Sequence, residues 1–234
     1  MSFDTIILAG GKGLRLKSEI KDLPKPMAPI LNRPFLEHQL DHLTKSGVKK
    51  VVLAVGYRYQ VIQKHFGTTY KGIKIAYSIE KKLLGTGGGI RKALSKTSSR
   101  TVLVLNGDTL FPFDLRAFSS CHKATKSDLT IALKLLRNYS RFGTVKLRQG
   151  RCVSFEEKKK KRAGLINAGV YLLDRRSMLQ AFPKSPVFSF EEFLENSVSS
   201  LVISGNRQAV PFLDIGLPED YRKAERFLLK SARR

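Results

Sequence analysis

The chain has 234 residues, 42% of them hydrophobic and 26% charged, a balance that excludes fibrous and bulk-disordered classes and suits one α/β domain. No apolar run reaches the roughly 20 residues needed to span a bilayer, the opening MSFDTIILAGG lacks the basic segment of a secretory signal, and Cys121 and Cys152 are too few for a disulfide framework, so a soluble, reduced, cytoplasmic protein is expected. The net charge of +24 attracts polyanions, whether nucleic acid, anionic membrane surfaces or phosphorylated small molecules, but no zinc-finger spacing or RNP-like aromatic motif is present to read bases.

Thr5 to Ala9, short, rich in isoleucine and closed by Gly10-Gly11, reads as a buried parallel strand. A loop punctuated by Pro24 and Pro26 runs to Pro29. Phe35, Leu36, Leu40 and Leu43 then follow helical spacing, and Gly47 stops that helix. Val51 to Val55 is a strand, Val61 to Phe66 belongs to a helix, and Ile73 to Ile79 alternates as a strand. Gly85-Thr86-Gly87-Gly88-Gly89 leads into a helix through Leu94, and Thr101 to Leu105 is another buried strand, ending in Asn106-Gly107-Asp108. The second half is richer in strands: Leu129 to Leu135, Gly143 to Leu147, Cys152 to Phe155 and Leu165 to Leu173. Short helices near Phe190 to Leu194 and Asp220 to Leu229 close the chain.

Alternating strands and helices argue for an α/β fold, a Rossmann-like three-layer sandwich with a mostly parallel central sheet and a small β-rich part. A single domain is expected over residues 1–234, with halves of roughly 1–110 and 111–234. Glycine-rich loops at the carboxyl ends of the strands then mark the ligand crevice.

The segment Leu8-Ala9-Gly10-Gly11-Lys12-Gly13-Leu14-Arg15-Leu16 carries the most information. Glycines directly after a strand let backbone N–H groups surround an anion. The segment is neither a Walker A loop nor GxGxxG, and a tight turn with no ligand would look similar. Arg15 within the loop and Lys25, held between Pro24 and Pro26, favour a polyphosphate.

Leu-Ala-Gly-Gly-x-Gly-x-Arg-Leu followed by Pro24-Lys25-Pro26 resembles the signature of the sugar-1-phosphate nucleotidylyltransferases. The resemblance covers essentially the whole chain, through Gly85-Thr86-Gly87-Gly88, Asn106-Gly107-Asp108, Phe155-Glu156-Glu157-Lys158, Asn167-Ala168-Gly169 and Asp214-Ile215-Gly216. Within that family, Ile20 to Pro29 and Leu84 to Gly88 look most like the D-glycero-α-D-manno-heptose 1-phosphate guanylyltransferases. Leu14 departs from it, standing where many members carry a hydroxyl residue.

The resemblance implies that a sugar 1-phosphate oxygen attacks the α-phosphorus of a nucleoside triphosphate, here GTP with a heptose 1-phosphate, and pyrophosphate leaves. Such chemistry needs positioning and charge neutralisation rather than a base. Arg15 and Lys25 are implied as catalytic. Leu8, Ala9, Gly10, Gly11, Gly13, Glu80, Gly85 and Thr86 are implied to bind the nucleotide, in the first half of the chain. Asn106, Gly143, Glu157, Lys158 and Asn167 are implied to bind the sugar phosphate, and Asp108 and Asp214 to hold Mg²⁺. Phe142 replaces a common tyrosine, and no proline follows the Glu157-Lys158 pair.

Each residue also has a plainer reading. Asp108 suits an Asx-turn, Asp214 an N-cap for a helix starting near Glu219, and Asn167 a satisfied structural asparagine. Lys159 to Arg162 read as a solvated run. Glu80 could pair with N1–H and the 2-amino group of guanine, although a uridine N3–H would also serve. The histidines carry no catalytic pattern: His38, His42 and His65 fall in helical patterns and His122 lies near a helix end. A uridylyltransferase for N-acetylmuramate 1-phosphate and a guanylyltransferase for mannose 1-phosphate would look much alike. A basic nucleic-acid-binding domain is the non-enzymatic alternative, whereas a dinucleotide oxidoreductase fails on loop spacing. Neither a specific nucleic acid nor membrane insertion is expected, and a homo-oligomer is left open.

Overall fold

A computed structural model of the chain describes residues 3–16, 19–20, 22–156 and 160–232. In chain order its elements are β1 (Asp4–Ala9), β2 (Pro29–Ile30), β3 (Arg33–Pro34), α1 (Phe35–Lys45), β4 (Lys50–Val55), α2 (Tyr59–Phe66), β5 (Thr69–Tyr70) and β6 (Ile73–Ile79). Next come α3 (Gly85–Leu94), β7 (Thr101–Asn106), β8 (Thr109–Leu110), α4 (Leu115–Ala124), β9 (Leu129–Tyr139), β10 (Thr144–Arg148) and β11 (Arg151–Glu156). The chain continues through β12 (Lys161–Asp174), α5 (Arg175–Ala181), α6 (Phe190–Ser197), β13 (Ile203–Arg207), β14 (Leu213–Asp214) and α7 (Pro218–Ala232).

Among the described residues, ten strands join one sheet in the order β10-β11-β13-β9-β12-β7-β1-β4-β6-β5. The run β7-β1-β4-β6 is parallel, as is the β13–β9 pair, and the other pairings are antiparallel. The sheet is therefore mixed: the mostly parallel central sheet expected from the sequence is found only in the run of strands whose crossover helices lie in the first half of the chain.

Successive residues of the parallel strands face opposite sides. Ile7, Leu53 and Leu103 pack with Leu36 and Leu40 of α1, Ile62 of α2 and Phe118 of α4. Ile6, Val52 and Val104 pack with Ile90 of α3, Met178 of α5 and Leu194 of α6. Strands buried on both faces must be apolar throughout, which is why they are legible as continuous runs.

Two features position the site. A third cluster under α7 gathers Leu16, Ala28, Leu110, Leu213 and Ile215 around Ala224, drawing together chain segments far apart in sequence. Strand β12 also changes neighbours along its length. Ile166 pairs with Thr144 of β10, whereas Val170 to Asp174 pair with β7. The register against β9 shifts between Asn167 and Tyr171, so the Asn-Ala-Gly segment is an irregularity at that changeover. No helix among the described residues is long and apolar enough to cross a membrane.

Candidate active site

β1 ends at Ala9, and the glycine loop beyond it lies against the turn that carries Lys25. Gly13 has φ +60, and a Cβ there would stand 3.1 Å from the Lys25 Cβ, so this position requires glycine for both conformation and space. Lys25 opens a 3₁₀ turn behind an extended Pro24, closed by Ala28 N–H donating to the Lys25 carbonyl at 3.0 Å. Its side chain is 14% exposed, and Nζ donates to Asp108 Oδ2 at 2.6 Å. Arg15, in the preceding 3₁₀ turn, is exposed on the rim.

Asp108 and Asp214 meet because the two-residue strands β8 and β14 pair. Asp214 stands opposite Thr109, and Ile215 N–H donates to the Asp108 carbonyl at 3.0 Å. Asp214 Oδ1 accepts from Gly216 N–H at 2.7 Å and from Arg141 Nη2 at 3.4 Å, and Arg141 also pairs with Asp220. Burial raises the Asp214 carboxyl above the usual aspartate range, and the charge of Asp108 raises it further, against the opposing pull of Lys25 and Arg141. Asp214 sits in β14, not at the start of α7, so it does not cap that helix. The Asp108 carboxylate turns to Lys25 and to the Thr109 hydroxyl, and among the described residues it makes no Asx-turn bond.

Leu8, Ala9, Gly10, Gly11 and Glu80 line a cavity of about 440 Å³, together with Gly85 and Thr86. Glu80 is half-buried, and that burial raises its carboxyl above the ordinary glutamate value. Leu84 N–H donates to Oε2 at 3.2 Å, and a Cβ on Gly89 would come within 2.8 Å of Oε1. The glycines after Leu84 form the first turns of α3 rather than a loop before it. They serve packing: the Pro186–Phe188 strip runs so close that a Cβ on Gly88 would strike the Pro186 carbonyl. Thr86 accepts from Phe190 N–H at 2.8 Å and donates to Glu191 Oε2 at 2.8 Å, so its hydroxyl joins α3 to α6.

A second cavity, of about 590 Å³, is lined by Gly143, Asn167, Phe155 and Tyr171. Asn167 accepts from Gly169 N–H at 2.9 Å and donates to the Tyr171 hydroxyl at 2.8 Å, which fastens the irregularity in β12. These two bonds bear out its structural reading and leave one amide N–H and one oxygen lone pair unused. Gly169 in turn packs on the Asn106 side chain, where a Cβ would meet Nδ2 at 2.8 Å. Glu157 and Lys158 lie outside the described residues.

The two cavities share Arg15, Lys25, Asn106, Asp108 and Glu191. Sequence reasoning missed Glu191, because an acidic pair in the first turn behind the N-cap Ser189 is the ordinary start of a helix. Arg141 was also passed over. Its one signal was its position just before Phe142-Gly143; in the structure it lies 4.6 Å over the Phe142 ring while reaching Asp214.

The pattern of the nucleotidyl transferase family matches residues 4–231. A D-glycero-alpha-D-manno-heptose 1-phosphate guanylyltransferase of Aneurinibacillus thermoaerophilus is 45% identical over 226 residues, covering 96% of this chain and 98% of the relative. Its counterpart in Campylobacter jejuni is 48% identical over 217 residues, covering 92% of this chain and 96% of the relative. The crystal structure of HddC from Yersinia pseudotuberculosis complexed with GMP-PN matches with a TM-score of 0.85 at 33% identity, covering 97% of this chain and 99% of that one.

Proposed function

The chain belongs to the nucleotidyl transferase family, and from that premise we propose that it transfers GMP from GTP to D-glycero-α-D-manno-heptose 1-phosphate, giving GDP-heptose and pyrophosphate. The observation that carries this reading is the meeting of two cavities at Arg15, Lys25 and Asp108. A nucleotide in one and a sugar phosphate in the other would present the two phosphates to each other at that junction. We read residues 1–110, with their Rossmann-like layering of helix, sheet and helix, as the nucleotide half, and 111–234 as the sugar-phosphate half. The reaction belongs in the cytoplasm, where GTP is made.

An oxygen of the sugar phosphate bonds to the α-phosphorus as the bond to the β-phosphate oxygen breaks, and the electron pair leaves with pyrophosphate. The nucleophile is already an anion, so no side chain has to take a proton. The backbone of Leu8 to Gly13 would cradle the triphosphate, with Arg15 and Lys25 meeting the charge that shifts to the leaving group. Glu80, a half-buried carboxylate in the nucleotide cavity, suits the paired donors of guanine. Gly85 and Thr86 would complete that wall. Asn106, Gly143, Asn167, Glu157 and Lys158 would hold the sugar phosphate.

Two carboxylates close enough to perturb one another suit a small divalent cation, because Mg²⁺ is bound by one or two carboxylates plus substrate phosphates rather than by a full protein cage. Asp108 and Asp214 would hold it, and when bound it would neutralise phosphate charge. The test is pyrophosphate release with Mg²⁺, crossing four nucleoside triphosphates with heptose, mannose, glucose and N-acetylmuramate 1-phosphates. A signal confined to GTP and heptose 1-phosphate is the expected result. Mannose 1-phosphate in its place, or UTP with N-acetylmuramate 1-phosphate, would reassign the substrate, and silence across the grid would overturn the reading.

A further inference from the structure

Helix α1 buries Phe35, Leu36, Leu40 and Leu43 along one stripe, and Gln39 lies within that stripe, 1% exposed. A glutamine at such a position loses hydration and gains stability only from the bonds it makes. Its Nε2 donates to the Asn106 carbonyl at 2.8 Å and to the Thr109 carbonyl at 2.7 Å. Those two carbonyls bracket Gly107 and Asp108, so one amide clamps both ends of the turn that presents the Asp108 carboxylate. Its Oε1 is buried and has no hydrogen-bond partner among the described residues. The same helix begins with Phe35 N–H donating at 2.9 Å to the carbonyl of Ala28, at the end of the Lys25 turn. Through α1, the lysine and the aspartate of the 2.6 Å pair are thus referred to one rigid element.

A leucine here would remove the unpaired Oε1 but would also take the donor from the Asn106 and Thr109 carbonyls, so what the amide supplies is the grip on that turn. We propose that Gln39 is a positioning residue: by gripping the carbonyls on either side of Asp108, it fixes that carboxylate for the cation and the phosphates. This rests on the reading of Asp108 as a cation ligand.

The test uses the near-isosteric Gln39→Met. Mn²⁺ binding is titrated by electron paramagnetic resonance in the enzyme–GTP complex without sugar phosphate, where no turnover occurs, and steady-state kinetics are then run with Mg²⁺. A folded Q39M is expected to bind Mn²⁺ about tenfold or more weakly and to lose kcat by a similar factor, as supports behind metal ligands typically do. KM for GTP should move less than kcat, because Leu8 to Gly11 and Glu80 of the nucleotide cavity make no hydrogen bond to Gln39. Unchanged Mn²⁺ affinity and kcat in a folded Q39M would overturn the assignment. Asp108→Asn, measured in parallel, separates the two ideas. If D108N weakens Mn²⁺ binding and Q39M does not, only the role of Gln39 fails; if D108N also leaves it unchanged, the ligand reading fails and this inference with it. Should Q39M not fold, Gln39→Leu takes its place, and failure of both to fold would make Gln39 a stability element and reject the proposal.

Discussion

Lys25 Nζ and Asp108 Oδ2 stand 2.6 Å apart across 83 positions of sequence. The lysine is the more enclosed partner, at 14% exposure against 35% for the aspartate. A cation held there balances the carboxylate before substrate arrives and needs little reorganisation to meet phosphate charge afterwards. Lys25→Ala should therefore lower kcat by about 10²–10³-fold, the usual loss when one preorganised donor is removed. The fold should survive, because the ammonium lies on a cavity wall and not in the apolar clusters. Pyrophosphate release together with circular dichroism checks both halves, and wild-type turnover would remove Lys25 from the mechanism.

Asp214 carries a raised pKa from burial first and from the charge of Asp108 second, with Lys25 and Arg141 opposing, so the two carboxylates repel each other and a bound divalent cation would relieve that repulsion. Asp108→Asn should raise the Mg²⁺ half-saturation concentration by more than the roughly 10–100-fold seen when only a supporting residue is lost. The charge it removes is also the second cause of the Asp214 shift, so the Asp214 carboxyl should titrate lower in that variant. A Mg²⁺ titration of turnover identical to wild type would exclude Asp108 as a ligand.

What was legible in the sequence follows from how locally each feature is determined. β6 spans Ile73–Ile79 as its alternation predicts, with Ile73, Ile75 and Ser78 buried and Lys74 exposed, whereas β4 and β7 extend their expected runs by one residue, because burial of whole strands writes itself into continuous apolar sequence. β13, with the sequence Ile-Ser-Gly-Asn-Arg, was not seen; it is a strand because β9 and β11 pair with it and Gly205 fits beneath Leu133 and Leu147. α4 was anticipated only as a helix end near His122, since its buried face alternates Leu115 and Phe118 with Ser119 and His122. In the site, Lys25 and Asp108 were legible as motifs, yet the pairing of β8 with β14 that joins Asp108 to Asp214 is long-range and leaves no local trace. Gln39 had one signal, a polar residue within the apolar stripe of α1.

Glu80 supplies a pH-dependent test of base recognition. Burial is the main cause of its raised pKa, with the Leu84 amide and Lys92 opposing. A carboxyl raised in the fold favours its protonated form, so its contribution to stability is complete below the ordinary value and is lost as pH rises through the folded pKa. Guanine binding has the opposite sign, because N1–H and the 2-amino group require the ionised form. Affinity for guanosine, which leaves the phosphate site out, should strengthen as pH rises past the ordinary glutamate range and level off once Glu80 is ionised. Glu80→Gln should flatten that profile and weaken binding near neutrality by about 1.5–3 kcal/mol, the worth of a hydrogen bond to a charged group. A slope that persists in E80Q would assign the titration to another residue.

The glycines of α3 make a prediction in which two effects of opposite sign compete. Within a helix, Gly→Ala ordinarily gains about 1 kcal/mol from backbone entropy and propensity. Gly88 lies in α3, is fully buried and has no positive φ, so propensity alone would make alanine stabilising there. The obstacle is the Pro186 carbonyl, which a Cβ would strike, and behind it the bond from Phe188 N–H to the Leu84 carbonyl at 3.0 Å, which ties the strip to the helix. Backbone cannot swing aside as a side chain does, so overpacking of about 1–3 kcal/mol should outweigh the propensity gain. Gly88→Ala should thus lower Tm, and because the same strip leads to Phe190, whose N–H donates to Thr86, the GTP affinity should fall with it. A rise in Tm with unchanged GTP binding would mean that the strip can retreat from α3, and that the glycines there do not serve close packing.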